Sequence, residues 1–406
     1  MSLPRMAQVQ QRFDVSQIED IAGEVSKQME AFGLARRVKP GQRIAITAGS
    51  RGIANIAEII AAAVAELRKV GAKPFVFPAM GSHGGATAEG QREMLASYGI
   101  VEERIGCPIV SSMEVVEIGT TPSGVPVWVD REAYHSDGIL VVNRVKAHTA
   151  FKAPNESGLI KMMGIGIGKR HGADVYHRYP LGPTLLEAAR VVIAKAPILG
   201  GLAIVENSRD QTWKLVAAAP EEMEEVDRNL LVEANRLLPR IPFETLDVLI
   251  VEEMGKNISG TGMDLNVIGM WRRIGGEQRP YFRYIVVLDL TEESHGNALG
   301  IGMADLTTKR LVDKIDLKAM YTNVMTTNFF QTGKIPVTMD TDREAIELAF
   351  KTFDPQSVRA VRIRNTLALE KIYVSEGLLP EARENPNLFI LDDPKPMAFD
   401  AEGRLL

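Results

Sequence analysis

A chain of 406 residues exceeds the size at which one hydrophobic core keeps growing, so two domains are expected; 45% hydrophobic and 24% charged residues are the proportions of a folded globular protein. The formal net charge of −5, with basic residues scattered singly, leaves no electrostatic footprint for nucleic acid, and no stretch approaches the ~18 consecutive apolar residues of a membrane span. A single cysteine, Cys107, excludes an internal disulfide and a multi-cysteine metal site, which fits a reducing cytoplasm; a homo-oligomer is compatible with this composition.

Arg43 to Thr47 is a short apolar run after a Pro-Gly turn and reads as a strand, and Ile53 to Val70 follows at helical spacing, closed by Gly71. Pro74 to Phe77 predicts the next strand, a glycine-rich loop spans Gly81 to Gly85, and Thr87 with Glu89 marks the capped start of another helix. Further buried strands are expected at Gly138 to Val142, Leu202 to Val205, Asp247 to Val251 and Tyr284 to Leu290. A helix from about Pro220 to Leu238 leads to Pro239 and Pro242, where the domain boundary is placed. The fold class is therefore α/β: an N-terminal catalytic and cofactor-binding domain over 1–242 and a C-terminal domain over 243–406, each a largely parallel sheet flanked by helices, with the site expected in the cleft between them.

Polar clusters follow the apolar runs: Gly49-Ser50-Arg51, Gly81-Ser82-His83, Asn143 to His148, Glu206 to Arg209, Glu252-Glu253 with Lys256, and Glu292-Glu293 with His295. In open parallel sheets ligands bind outside the carboxyl ends of the strands, so these clusters are candidates to converge. His83, among glycines, and His148 are candidate acids, bases or ligands, because an imidazole titrates near neutrality; His135 reads as structural. The segment Asn155 to Lys169, NESGLIKMMGIGIGK, alternates glycine in a way that suits neither helix nor strand, and predicts a backbone that wraps a ligand. It is not a phosphate-binding loop, because Arg170 follows Lys169, and its glycine spacing misses the dinucleotide fingerprint. Lys161, between Ile160 and Met162, is either a nucleophile activated by apolar surroundings or a lysine reaching out to solvent. No H-E-x-x-H or G-x-S-x-G signature is present.

Taken together, from about Arg43 to His177, these loops resemble the nickel-pincer lactate racemase family, which interconverts stereoisomers of 2-hydroxy acids. The resemblance rests on TAGSRGIAN, on GSHGGATAEG, and on His148, Ser157-Gly158 and Lys161 in that order. It implies that Arg51 holds the substrate carboxylate and that His83 and His148 are the two bases of a racemase or epimerase. It further implies that Lys161 tethers, through a thioamide, a pyridinium-derived mononucleotide carrying nickel, with Ser157 and Gly158 in the cofactor site, His177 as the metal ligand and His171 as second choice. Hydride would pass from the substrate carbon to the cofactor ring and back. Lys256, in EEMGKNISGTGMD, resembles a second-domain lysine of the family. The stretch Thr47-Ala48-Gly49-Ser50 lacks the aspartate of lactate-using members, and Gly84 stands where the family often has arginine; a wider pocket at Gly84 and Gly85, suited to a longer acid, is therefore expected. Two other classes are carried: a hydroxy-acid lyase or dehydratase with a metal on Glu252, Glu253 or Asp264, and a non-catalytic carboxylate- or nucleotide-binding relative.

Overall fold

Short apolar runs bounded by turn formers become strands, and in the computed structural model, which describes residues 2–149, 151–176, 179 and 181–406, they fall in chain order as follows. β1 is Arg5–Gln11, β2 Arg43–Ala48, β3 Lys73–Pro78, β4 Val115–Thr120, β5 Pro126–Asp130, β6 Gly138–Arg144, β7 Ile198–Glu206 and β8 Thr212–Ala218. β9 is Thr245–Val251, β10 Tyr281–Val287, β11 Leu306–Thr308, β12 Val337–Met339, β13 Ala360–Ile363, β14 Lys371–Ser375, β15 Leu388–Ile390 and β16 Lys395–Pro396. The helices that matter here are α1 (Ile21–Ala31), α2 (Ile56–Lys69), α3 (Ala88–Ser97), α4 (Gly158–Gly164), α5 (Lys169–Tyr176), α6 (Leu181–Lys195) and α7 (Met223–Leu237). Among the described residues no helix is long and apolar enough to cross a membrane.

The chain divides into two units, Asp14–Leu238 and Pro239–Leu406, the latter completed by the residues up to Phe13. The division falls at Pro239, and the residues up to Phe13 belong to the unit Pro239–Leu406 and not to Asp14–Leu238. β1 pairs antiparallel with β14, β15 and β16, in the register Met6↔Ser375 and Val9↔Ile390. Ala7 and Val9 carry it there, since both are fully buried in that unit's core. The unit is a nine-stranded sheet in the order β12-β11-β10-β9-β13-β14-β1-β15, with β16 on β1; its β9 to β13 part is parallel and the remainder antiparallel.

The unit Asp14–Leu238 is built on a five-stranded sheet, β3-β2-β6-β7-β8, parallel except for β8. Alternate side chains enter opposite cores: Ile44, Ile46, Leu140 and Val142 pack with α1 and α2, while Ala45, Ile139 and Val141 pack with α4, α6 and α7. The chain runs from β2 outward to β3 and then returns to lay β6 on the other side of β2. The strand order therefore reverses between β2 and β6, and the crevice beyond their carboxyl ends is the topological switch point.

One ion pair anchors the loops around that crevice. Lys169, fully buried at the start of α5, lies 3.1 Å from the equally buried Asp130 at the end of β5 and donates to the Pro78 carbonyl at the end of β3. Its ammonium sits 5.6 Å from the Phe77 ring, and Asp130 also caps the helical turn Arg131–Tyr134 through the Ala133 N–H, 2.9 Å away. Burial pushes the lysine pKa down and the aspartate pKa up, while their mutual attraction opposes both shifts. Lys169 is held at φ +52°, a left-handed conformation that a side-chain-bearing residue keeps only when its surroundings impose it. Removing one partner strands a buried charge, so Lys169→Met is expected to lose about 3–5 kcal/mol of stability in denaturant titration. The double variant Lys169→Met with Asp130→Asn should recover much of that loss, because it leaves no unpaired charge and keeps the cap.

Candidate active site

Three strand-end loops meet the 157–173 segment, and each is braced through its backbone. After β2, a Cβ at Gly49 would lie 3.2 Å from Met162 Cε of α4, which brings this loop against the lysine helix. Tyr98 donates its hydroxyl to the Ser50 carbonyl at 2.8 Å, and Glu206, at the end of β7, accepts from the Ala54 N–H at 2.6 Å while pairing with Arg144. Arg51 is left exposed between these braces.

After β3, the Gly81 N–H donates to the Gly166 carbonyl at 3.2 Å, and the buried Gln91 of α3 donates to the carbonyls of Gly81 (3.0 Å) and His83 (3.2 Å). His83 stands exposed on this pinned turn. Gly84 does not widen a pocket as expected: it has φ +64°, and a Cβ there would lie 2.7 Å from the backbone N of Gln91, so glycine is required for the loop to lie on α3. Gly85 alone borders open space.

After β6, Asn143 donates to the Gly158 carbonyl at 2.7 Å, and the Ser157 hydroxyl both accepts from the Lys146 N–H (2.7 Å) and donates to the Lys146 carbonyl (2.6 Å). The His148 N–H donates to the buried Glu156 carboxylate at 2.7 Å, which also takes the Ala153 N–H and the Lys152 ammonium, each at 3.3 Å. The His148 ring packs on Phe151 with 4.3 Å between centroids. In the sheet order β3-β2-β6, the Arg51 loop thus lies between the His83 loop and the His148 loop, whose strands are roughly 10 Å apart at the usual interstrand spacing.

The glycine-rich segment is helical where it was expected to be irregular. Leu159, Ile160, Met162 and Met163 are all buried and drive α4 into the core, while the glycines permit close packing: a Cβ at Gly164 would meet the Leu185 carbonyl at 3.0 Å, and one at Gly166 the Ala79 carbonyl at 2.6 Å. On α4, Lys161 is half-buried, and its ammonium has no hydrogen-bond or ion-pair partner among the described residues. Burial first, and then the nearby charges of Arg51 and Lys146, lower its pKa to about 8. Reasoning from sequence missed what holds this helix: Asp227 of α7, which accepts from the Leu159 and Ile160 N–H groups. A carboxylate on the apolar stripe Met223, Leu230, Leu231, Ala234 was the available signal.

His177 lies outside the described residues. His171 is exposed, with its ring 5.7 Å from that of Trp128, whereas Ala173, about 200° further round α5, is the residue that faces Gly81. His171 is thus not gathered toward the His83 loop. Lys256 belongs to the other unit, where its N–H donates to Ser294 Oγ at 2.9 Å and its ammonium to the Gly260 carbonyl of its own loop at 2.5 Å. The carboxylates of the metal-lyase alternative are occupied: Glu252 pairs with Arg362, Glu253 with Arg364 and Asn365, and Asp264 caps a helical turn through the Asn266 N–H. No cluster of three metal-binding side chains occurs among the described residues.

Residues 5–183 match the lactate racemase N-terminal domain. The match covers a little under half of the chain, and over that span the sequence is similar to lactate racemases. In solved structures the fold is similar to that of the lactate racemase apoprotein from Thermoanaerobacterium thermosaccharolyticum, with TM-score 0.54 and 11% identity over 87% of this chain and 93% of that one. A Thermotoga maritima protein aligns with TM-score 0.48 and 14% identity over 66% of this chain and 70% of that one. No curated protein matches by sequence. The matched span contains Arg51, His83, His148 and Lys161 but stops short of Asp227. Amine-reactive labelling of Lys161, read by peptide mass spectrometry against pH, is expected to titrate near pH 8 and not near the ~10.4 of an unperturbed lysine. Arg51→Gln and Lys146→Gln should each raise that midpoint, since each removes a positive charge that disfavours the ammonium.

Proposed function

We propose that this chain is an isomerase, a racemase or epimerase of a small 2-hydroxy acid, working with a nickel-pincer nucleotide tethered to Lys161. The observation that carries this reading is the order of the three loops, with a guanidinium on the middle strand and a histidine on the strand to either side. Inverting the hydroxyl-bearing carbon calls for a base on each side of a substrate whose carboxylate is held, and the loop order supports that reading.

Lys161 suits the tether. A covalent anchor must be neutral part of the time to react as a nucleophile, and an amine with a pKa near 8 and no carboxylate beside it meets that requirement where an ordinary surface lysine does not. When bound, the nucleotide would supply the hydride acceptor and the nickel. Arg51 would take the substrate carboxylate in a bidentate grip, which fixes the plane of the acid and leaves the hydroxyl-bearing carbon free to change configuration. For one stereoisomer His83 takes the hydroxyl proton and His148 returns one on the opposite face; for the other the roles exchange. Glu156 and Gln91 keep the two imidazoles in place by holding their backbones.

In a host that also makes the cofactor, the natural chain is expected to carry a mass adduct and stoichiometric nickel, both lost in Lys161→Ala. Acid deuterated at the hydroxyl-bearing carbon should keep its label through inversion, and His83→Asn or His148→Asn should each lower kcat by about 10²–10⁴ with the adduct intact. An unmodified, nickel-free natural chain that binds hydroxy acids without inverting them would sink this reading in favour of a binding protein.

A further inference from the structure

We infer that Asp227 is a positioning residue for Lys161: its buried carboxylate clamps the first turn of the lysine helix and so sets where the amine is presented. This inference rests on reading Lys161 as the anchor. The first N–H groups of any helix lack intrahelical partners, and in α4 the residue before it makes no side-chain cap. Asp227 fills that gap from a different helix, with Oδ1 accepting from Leu159 at 3.1 Å and Oδ2 from Ile160 at 2.8 Å. Gly158 makes the approach possible: it sits at φ +78°, and a Cβ there would lie 2.6 Å from the Asp227 carboxyl carbon. The Gly158 carbonyl is held from the other side by Asn143 of β6, and Asn155 is tied to the Glu224 carbonyl on α7. The turn that begins one residue after this clamp carries Lys161.

Stability alone does not account for this carboxyl. Asp227 is 1% exposed on the apolar face of α7, and burial pushes its pKa up to about 7 against the two N–H bonds that favour the charged form. A desolvated acid without a cation beside it is a poor stabiliser compared with a leucine of similar size, so what it contributes is geometry.

The test is the pH profile of Lys161 labelling in the cofactor-free chain, measured for the natural protein, Asp227→Asn, Asp227→Ala and Gly158→Ala, alongside intact mass of the same proteins made with the cofactor. Loosening the first turn should let the amine into water, so each variant is expected to raise the labelling midpoint by half a unit or more and to lower adduct occupancy several-fold. Gly158→Ala reaches the clamp from the opposite side and keeps the test open where Asp227→Ala fails to fold. Variants that melt earlier but leave the Lys161 midpoint unchanged would show Asp227 to be structural only and overturn the inference. Absence of an adduct on the natural chain, with the midpoint still shifting in the variants, would instead overturn the anchoring role of Lys161 and with it the catalytic meaning of the clamp.

Discussion

The buried pair of Lys169 and Asp130 is the constraint on which the rest of the site depends. A parallel sheet delivers its strand ends to one edge, but nothing in the sheet determines how the loops beyond that edge sit on one another. The pair does so, because one ammonium is shared between a carboxylate after β5 and a carbonyl after β3 while its own backbone opens α5. Desolvation makes any other arrangement of these two charges costly, which gives the loops one solution instead of several. With that solution in place, Gly166 and Ala173 lie against the Gly81 loop, and α4 enters the core at a defined depth.

Two lysines eight residues apart in one segment show how environment divides labour. Lys169 is paired, sealed from water and structural. Lys161 has cations for neighbours and no acid, so its neutral form is within reach near physiological pH. The same division appears in the loops. Glu156, Gln91 and Glu206 use their polar atoms on the backbones of the loops bearing His148, His83 and Arg51, so these candidate side chains are carried on braced loops without being used as the braces.

The parallel strands were legible because a strand covered on both faces reads as a continuous apolar run, and β2, β3, β6 and β7 are runs of that kind. That Arg51, His83 and His148 stand on loops beyond strand ends was legible because they follow those runs directly. β1 was not, since Arg5–Gln11 offers few apolar residues and its partners lie more than 350 residues along the chain. Glycine misled twice. In 158–168 it permits close approach of packed helical turns where an irregular backbone was expected, and at Gly84 it accommodates a neighbouring helix, because the sequence does not distinguish a glycine that makes room for a ligand from one that makes room for the protein itself. Asp227 escaped notice because its partner is a backbone 67 residues earlier, invisible to any local pattern.

The pairing of β1 with β14 has a consequence for biosynthesis. β1 has no β14 partner until Lys371–Ser375 has been made, which at roughly 5–20 residues per second leaves it waiting for about 20 s or more. The unit between, Asp14–Leu238, is continuous and complete by then. The sheet that holds β1 therefore closes after the unit Asp14–Leu238 has been translated, and until then Gln8 and Gln10, at alternate positions, give the waiting strand a polar face.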